Sequence, residues 1–393
     1  MAKFGTSEVG RRVDLTLIVI LITLAGIGLG VLLSASHHYA QRVFGDPLYF
    51  VRRQALFILI GIIAAVVVSR VDSDVLRRLA IPLLALSAIL MTLTLIPGVS
   101  TPSQGARRWL VLAGISYQPS ELVKFALVLY LASMLSRKYE SRTDAVNTLL
   151  PPVIVVCIFA ALIYLQNDFS TAALLILVTG IIFFVARVQF RYFFALALIV
   201  IPLAVIMVFT RVHRVERVIA FFNPESDPTG SGYQVLAARE ALTSGGLTGL
   251  GLGQGVRKLG EVPEIHSDFV FAVVGEETGL IGVVIVLALF VALASRGYRI
   301  AGMAQHRFDA YLACGVTTSL TVQAFANIAV VAGLLPATGI PLPLFSSGGS
   351  AIVMALTMAG VLCGISRRSD GDGSLVAGVR RSVRVPSVGV RGA

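Results

Sequence analysis

Charge is what this 393-residue chain has least of. Only 13% of its residues are Asp, Glu, Lys or Arg, against about 25% in a soluble domain. Hydrophobic residues make up 56%. No polar stretch is long enough to stand as a soluble domain, and no short repeat is visible. Cysteine occurs three times, as Cys157, Cys314 and Cys363, each inside an apolar run. The odd count and wide spacing argue against a disulfide framework or a zinc site. Phosphate-loop spacing (GxxxxGK[ST]) is absent. The glycine-rich run SGGLTGLGLGQGVRKLG lies in no strand–helix unit, so a nucleotide site is rejected. Its glycines read as turns and close backbone approaches. The formal charge of +11 comes from arginines in short loops and in the tail. That distribution suits anionic membrane lipid and not nucleic acid.

What the chain has is apolar runs of about 20 residues, long enough to span a bilayer with their own backbone satisfied. The expected fold is an all-α polytopic membrane protein with about ten transmembrane helices. Spans are expected near 15–34, 54–70, 79–97, 119–136, 149–166, 169–187, 192–211, 269–295, 309–335 and 351–366. The first is too long for a signal-peptide core and is read as retained. Lys and Arg are denser on the side of the N-terminus, which puts both termini in the cytoplasm. It also puts the large loop of residues 212–268, between helices 7 and 8, outside. Residues 1–366 form the membrane domain, and 367–393 a disordered basic cytoplasmic tail.

The stretch 261–279, EVPEIHSDFVFAVVGEETG, concentrates acid where a polar loop runs into an apolar helix. A carboxylate at such a boundary can be desolvated on one side and reach a polar substrate on the other. Asp268 is therefore either a reacting carboxylate or the cap of the helix that follows. GEETG either breaks that helix or stands above the membrane. Eight helical residues would separate Asp268 from Glu276 by about 12 Å, which forces no close carboxylate pair.

Other polar residues offer similar choices. Glu121 and Lys124 share a face of span four, as an ion pair or as substrate ligands. Asp168 caps span six or points into a cavity. Arg107 and Arg108, beside the only tryptophan, Trp109, hold a lipid phosphate or clamp a pyrophosphate. Gln323 and Asn327 read as interhelical glue. Gly348, Gly349 and Ser350 open the last span at a helix N-terminus, which favours an anion. Residues 233–244 are expected to form an amphipathic helix on the membrane surface, with Arg239 and Glu240 on its polar side.

GARRW at 105–109, QPSELVK at 118–124, QNDFST at 166–171, NPESDPTGSGYQ at 223–234, VPEIHSDFVFAVVGEETG at 262–279 and GLLPATGIPLPLFSSGGS at 333–350 resemble, in order, the motifs of the SEDS (shape, elongation, division and sporulation) membrane glycosyltransferases. SGYQ, RKLG and Gly275 look more like the division branch than the elongation branch. Ser267, Asn167, Ser170 and Ser347 depart mildly from the family pattern. The resemblance covers nearly the whole chain. It implies polymerisation of lipid II into glycan strands at the outer face of the cytoplasmic (inner) membrane, with a class B penicillin-binding protein and other division proteins as partners. The family's catalytic aspartate falls on Asp268. Arg108, Glu121, Lys124 and Asp168 match polar positions of the outward cavity, and His266 and Ser350 join them as substrate-side candidates. A divalent cation would assist the leaving pyrophosphate, but no metal-ligand motif identifies one. The alternative is a transporter or flippase of a lipid-linked sugar, for which the intramembrane charges would serve as a path. No inverted repeat supports it. A scaffold for division partners would leave Asp268 without a role.

Overall fold

The structure, a computed structural model, describes residues 13–103, 106–112, 115–140, 145–226, 230–256 and 267–369. Glu261, Glu264 and His266 lie outside the described residues, as does the expected tail from residue 370 onward.

Ten long apolar helices form the body: α1 (Leu15–Phe44), α2 (Tyr49–Ser69), α3 (Ser73–Leu95), α4 (Pro119–Glu140), α5 (Ala145–Leu165), α6 (Phe169–Val185), α7 (Phe190–Phe209), α10 (Val270–Met303), α11 (Arg307–Val331) and α12 (Gly349–Ser369). Eight are long and apolar enough to cross a membrane, and the apolar parts of α5 and α6 are shorter. The expected polytopic helical architecture is therefore the observed one. α4, α11 and α12 are the most buried, which explains why α4 can carry charge. α7 is peripheral, with Phe190, Phe194, Leu198 and Phe209 exposed as a lipid-facing surface requires. Asp14 caps α1 through Leu17 N, and its own N–H donates to Ser366 Oγ at 3.1 Å. The start of the first helix and the end of the last thus meet at one end of the bundle. The opposite end, here the loop end, carries the segment between α7 and α10.

Two elements at the loop end were not expected, and a third was expected only as a surface helix. Strands β1 (Ser100–Ser103), β2 (Ala106–Leu112) and β3 (Ile115–Tyr117) form a small antiparallel sheet in the order β1-β2-β3. Leu110 pairs with Tyr117, and Thr101 with Trp109. The segment before Asp268 begins with α8 (Val212–Phe222), and α9 (Ser231–Ser244) follows a single 3-10 turn at Pro224–Ser226. The surface amphipathic helix is α8, not 233–244. α9 buries Val235, Ala237, Ala238 and Ala241, packs against α10, and ties Arg239 Nη2 to Gly333 O at 2.9 Å. Its apolar residues are too evenly spread to leave a polar side. In α8, Val212 and Phe222 are exposed away from the cavity, and Arg214 and Arg217 line it.

α10 is broken at Gly279, whose φ of 63° and ψ of −163° no helix accommodates. The break orphans the carbonyls of Glu276 and Glu277 and the amides of Leu280 and Ile281, which would pair in a continuous helix. The glycine-rich loop after α9 inserts at the break and satisfies all four. Leu250 N and Gly251 N donate to Glu276 O and Glu277 O at 3.0 and 3.1 Å. Leu280 N and Ile281 N donate to Gly246 O and Leu247 O at 2.9 and 3.2 Å. Such backbone contact needs glycine: a Cβ on Gly249, where φ is +81°, would lie 2.1 Å from Glu277 O. The loop is thus spliced into the helix. Of the two sequence readings of GEETG, the broken helix is the observed one.

Candidate active site

Asp268 stands one residue before the N-cap of α10. The N-cap is Phe269, with no side-chain cap hydrogen bond, and the bond described for the Asp268 carboxylate comes from Ser267 and not from a backbone amide of α10. Its Oδ1 accepts from Ser267 Oγ at 2.8 Å. Its backbone carbonyl is held by Asn327 Nδ2 at 2.7 Å, and the same amide group donates to Ile340 O at 2.8 Å. Gly339 lies against its other oxygen: a Cβ there would be 3.3 Å from Oδ2.

Asp268 lines a cavity of about 1150 Å³ at the loop end. Arg108 from β2, Asp168 before α6, Arg211 before α8, His213, Arg214, Glu216 and Arg217 on α8, and the extended segment 335–340 share it. Asp168 fulfils both of its sequence readings. Oδ1 caps α6 by accepting from Thr171 N at 3.2 Å, and Oδ2 faces Arg108 Nη1 at 3.6 Å. Arg214 stacks on Tyr164, 4.5 Å from the ring centroid, and donates to Met207 O at 2.9 Å. Away from the charges the walls become apolar along α6, at Ala173, Leu174 and Leu177.

Glu121, Lys124 and Ser350 are not in that cavity lining. Lys124 Nζ contacts Glu121 Oε2 at 2.9 Å and donates to Gln323 Oε1 at 2.6 Å, all three being buried. Gln323 Nε2 in turn holds Pro341 O at 2.9 Å. The pair therefore anchors α11 and the extended segment 335–343 behind the cavity; Gln323 is the expected interhelical glue between α11 and α4, whereas Asn327 ties α11 to the backbone of residues 268 and 340. Ser350 Oγ accepts from Gln118 N at 3.0 Å, and its neighbour Gly349 is pressed against Phe57. That packing covers the start of α12. Glu277 Oε2 and Glu276 Oε1 accept from Gly253 N and Val256 N at 3.0 and 2.7 Å, so both carboxylates hold the spliced loop.

The α8 residues escaped the sequence reading, which counted them only as loop charge. The signal was there: Arg211, Arg214 and Arg217 recur every third residue among Val212, Val215, Val218 and Ile219. Burial pulls the Arg217 pKa below its usual value, and Asp268 is the main charge opposing that shift. Burial, with Arg217 next, also lowers His213. On β3, burial and then Glu121 push the Tyr117 hydroxyl up to about 12. Among the described residues no three His, Cys, Asp or Glu side chains group closely enough to hold a metal ion.

The FtsW/RodA/SpoVE family, described as cell cycle protein, matches residues 15–371. The chain belongs to that family. Among its relatives is a probable peptidoglycan glycosyltransferase FtsW of Trichlorobacter lovleyi, 39% identical over 353 residues, or 90% of this chain and 93% of the relative. Stage V sporulation protein E of Bacillus subtilis is 37% identical over 356 residues, covering 91% and 97%. The solved structure of a peptidoglycan synthase complex that coordinates polymerization and crosslinking contains a chain matching with a TM-score of 0.76 at 28% identity. The match covers 92% of this chain and 99% of that one. The rod shape determining protein RodA of Thermus thermophilus matches at 0.68 and 25%, covering 92% and 98%. In this FtsW/RodA/SpoVE member, the cavity around Asp268 draws on the GARRW, QNDFST, VPEIHSD and LLPATGI motifs together.

Proposed function

We propose that this protein is a peptidoglycan glycosyltransferase that polymerises lipid II during cell division. The observation that carries the reading is the cavity: Asp268 and the arginines share one space whose walls turn apolar along α6. Such a space suits a charged head group on a lipid tail. Asp268 is the general base. It takes the proton of the acceptor sugar hydroxyl as that oxygen attacks the anomeric carbon of the donor. Arg108 and Asp168 line the substrate side, and cations meet the leaving diphosphate. The loop end faces outward, and both termini lie in the cytoplasm, as the loop arginine pattern favours. A class B penicillin-binding protein that cross-links the new strand is the partner. The likeness to a chain of a synthase complex that couples the two steps supports this.

The test is glycan synthesis from lipid II by the purified protein, with and without that partner. In detergent there is no second leaflet, so a flippase would make no glycan. Glycan synthesis that disappears with Asp268→Asn is the expected result.

A further inference from the structure

The cavity contains more cation than the sequence motifs account for. Lys124, a motif cation, is consumed by Glu121 and Gln323 behind the cavity wall. Arg108 faces Asp168. Arg214 is stacked on Tyr164 and bonded to Met207 O. Arg217 differs from all three. Its single hydrogen bond among the described residues runs from Nη1 to Ala337 O at 3.3 Å, and no carboxylate there lies within ion-pair distance. It is nevertheless largely withdrawn from water, with Asp268 as the main charge that favours its protonated form. A guanidinium offers five donors in a planar fork that matches phosphate oxygens. A half-desolvated guanidinium with most of its donors unused is arranged for an anion that arrives from elsewhere.

We propose that Arg217 binds the diphosphate of the lipid-linked donor and its leaving group beside Asp268. The inference rests on the reading of this cavity as a lipid-diphosphate glycosyltransferase site. The chemistry explains the placement. As the acceptor oxygen bonds to the anomeric carbon, its proton passes to Asp268. The bond between that carbon and the diphosphate oxygen breaks, and its electron pair leaves with the lipid diphosphate. Asp268 thus loses its negative charge in the step in which the diphosphate gains one. An arginine that shares the cavity with both serves the negative charge at either place. It stabilises the transition state more than the ground state, which is what accelerates the step.

The experiment uses the full-length protein in detergent. Binding of undecaprenyl diphosphate is compared with binding of undecaprenol, which has the same tail and no charge. The unaltered protein is expected to prefer the diphosphate. Arg217→Ala should weaken diphosphate binding about 10–100-fold and leave undecaprenol binding unchanged, as expected for a lost charge-assisted hydrogen bond. Arg217→Gln keeps a donor for Ala337 O, so local structure is preserved while the charge is lost, and it should behave as Arg217→Ala does. Arg217→Lys should recover part of the preference. A structural role would weaken both lipids alike. Retention of the full diphosphate preference by Arg217→Gln would overturn the inference. If the unaltered protein shows no preference for the diphosphate, the lipid-diphosphate reading itself falls, which is a separate result.

Discussion

Asp268 is gripped by its backbone. Asn327 holds the carbonyl of residue 268, so a change confined to the side chain leaves the grip intact. Asp268→Asn should therefore fold and melt normally, keep its partner, and lose roughly 10²–10⁴-fold in polymerisation rate. Near-normal glycan synthesis by the folded variant would remove Asp268 from the mechanism. Glu121 and Lys124 call for the opposite expectation. Either single change to Ala strands a buried charge, at a cost of roughly 3–5 kcal/mol, and should lower the folded yield. The double change should recover part of it. Full yield with lost activity in the single variants would mean that the pair works on substrate. The sequence showed these residues as types at positions. It could not show which oxygen of Asp168 caps and which faces Arg108, because that depends on a strand 60 residues away.

At the scale of elements, apolar runs of bilayer length announced the helices, since each satisfies its backbone within itself. The sheet of β1, β2 and β3 and the burial of α9 were less legible. Both depend on contacts with distant segments, and α9's alanines look alike on every side. The splice at Gly279 was half legible. GEETG signalled a break, and the glycine-rich run signalled close approach, but nothing in either run named the other as its complement. Two substitutions test it. A Cβ on Gly249 would strike Glu277 O, and one on Gly279 would lie 2.4 Å from Gly249 N. Gly249→Ala and Gly279→Ala should each lower the melting temperature, by a loss of about 1–3 kcal/mol from backbone strain alone. Polymerisation should fall with it, because the part of α10 before the break follows directly on Asp268. Unchanged melting in both variants would show that the loop does not hold the break.

For the molecule as a whole, the alternation of ten helices puts Ser244, at the end of α9, and Gln305, between α10 and α11, at opposite ends. In a protein freed of Cys157, Cys314 and Cys363, a cysteine at Ser244 should react with an impermeant thiol reagent on intact cells. One at Gln305 should react only after permeabilisation. The reverse pattern would turn the cavity toward the cytoplasm and exclude lipid II polymerisation at the outer face. The polytopic class was legible from composition. The identity of the wall facing Asp268 was not, because α8 approaches it only after the chain has traversed α7 and turned.

The splice also sets an order of events during synthesis. Residues 246–251 leave the ribosome before Glu276 to Ile281, so the loop that completes α10 exists before the helix that needs it. When α10 enters the bilayer, its four orphaned backbone groups meet donors and acceptors already made. Left facing lipid, each would cost several kcal/mol. A circular permutant that moved 245–256 behind α12 would reverse that order. The same contacts would then have to be made after the break had been exposed to lipid, and the nascent chain would be open to quality-control proteolysis during that interval.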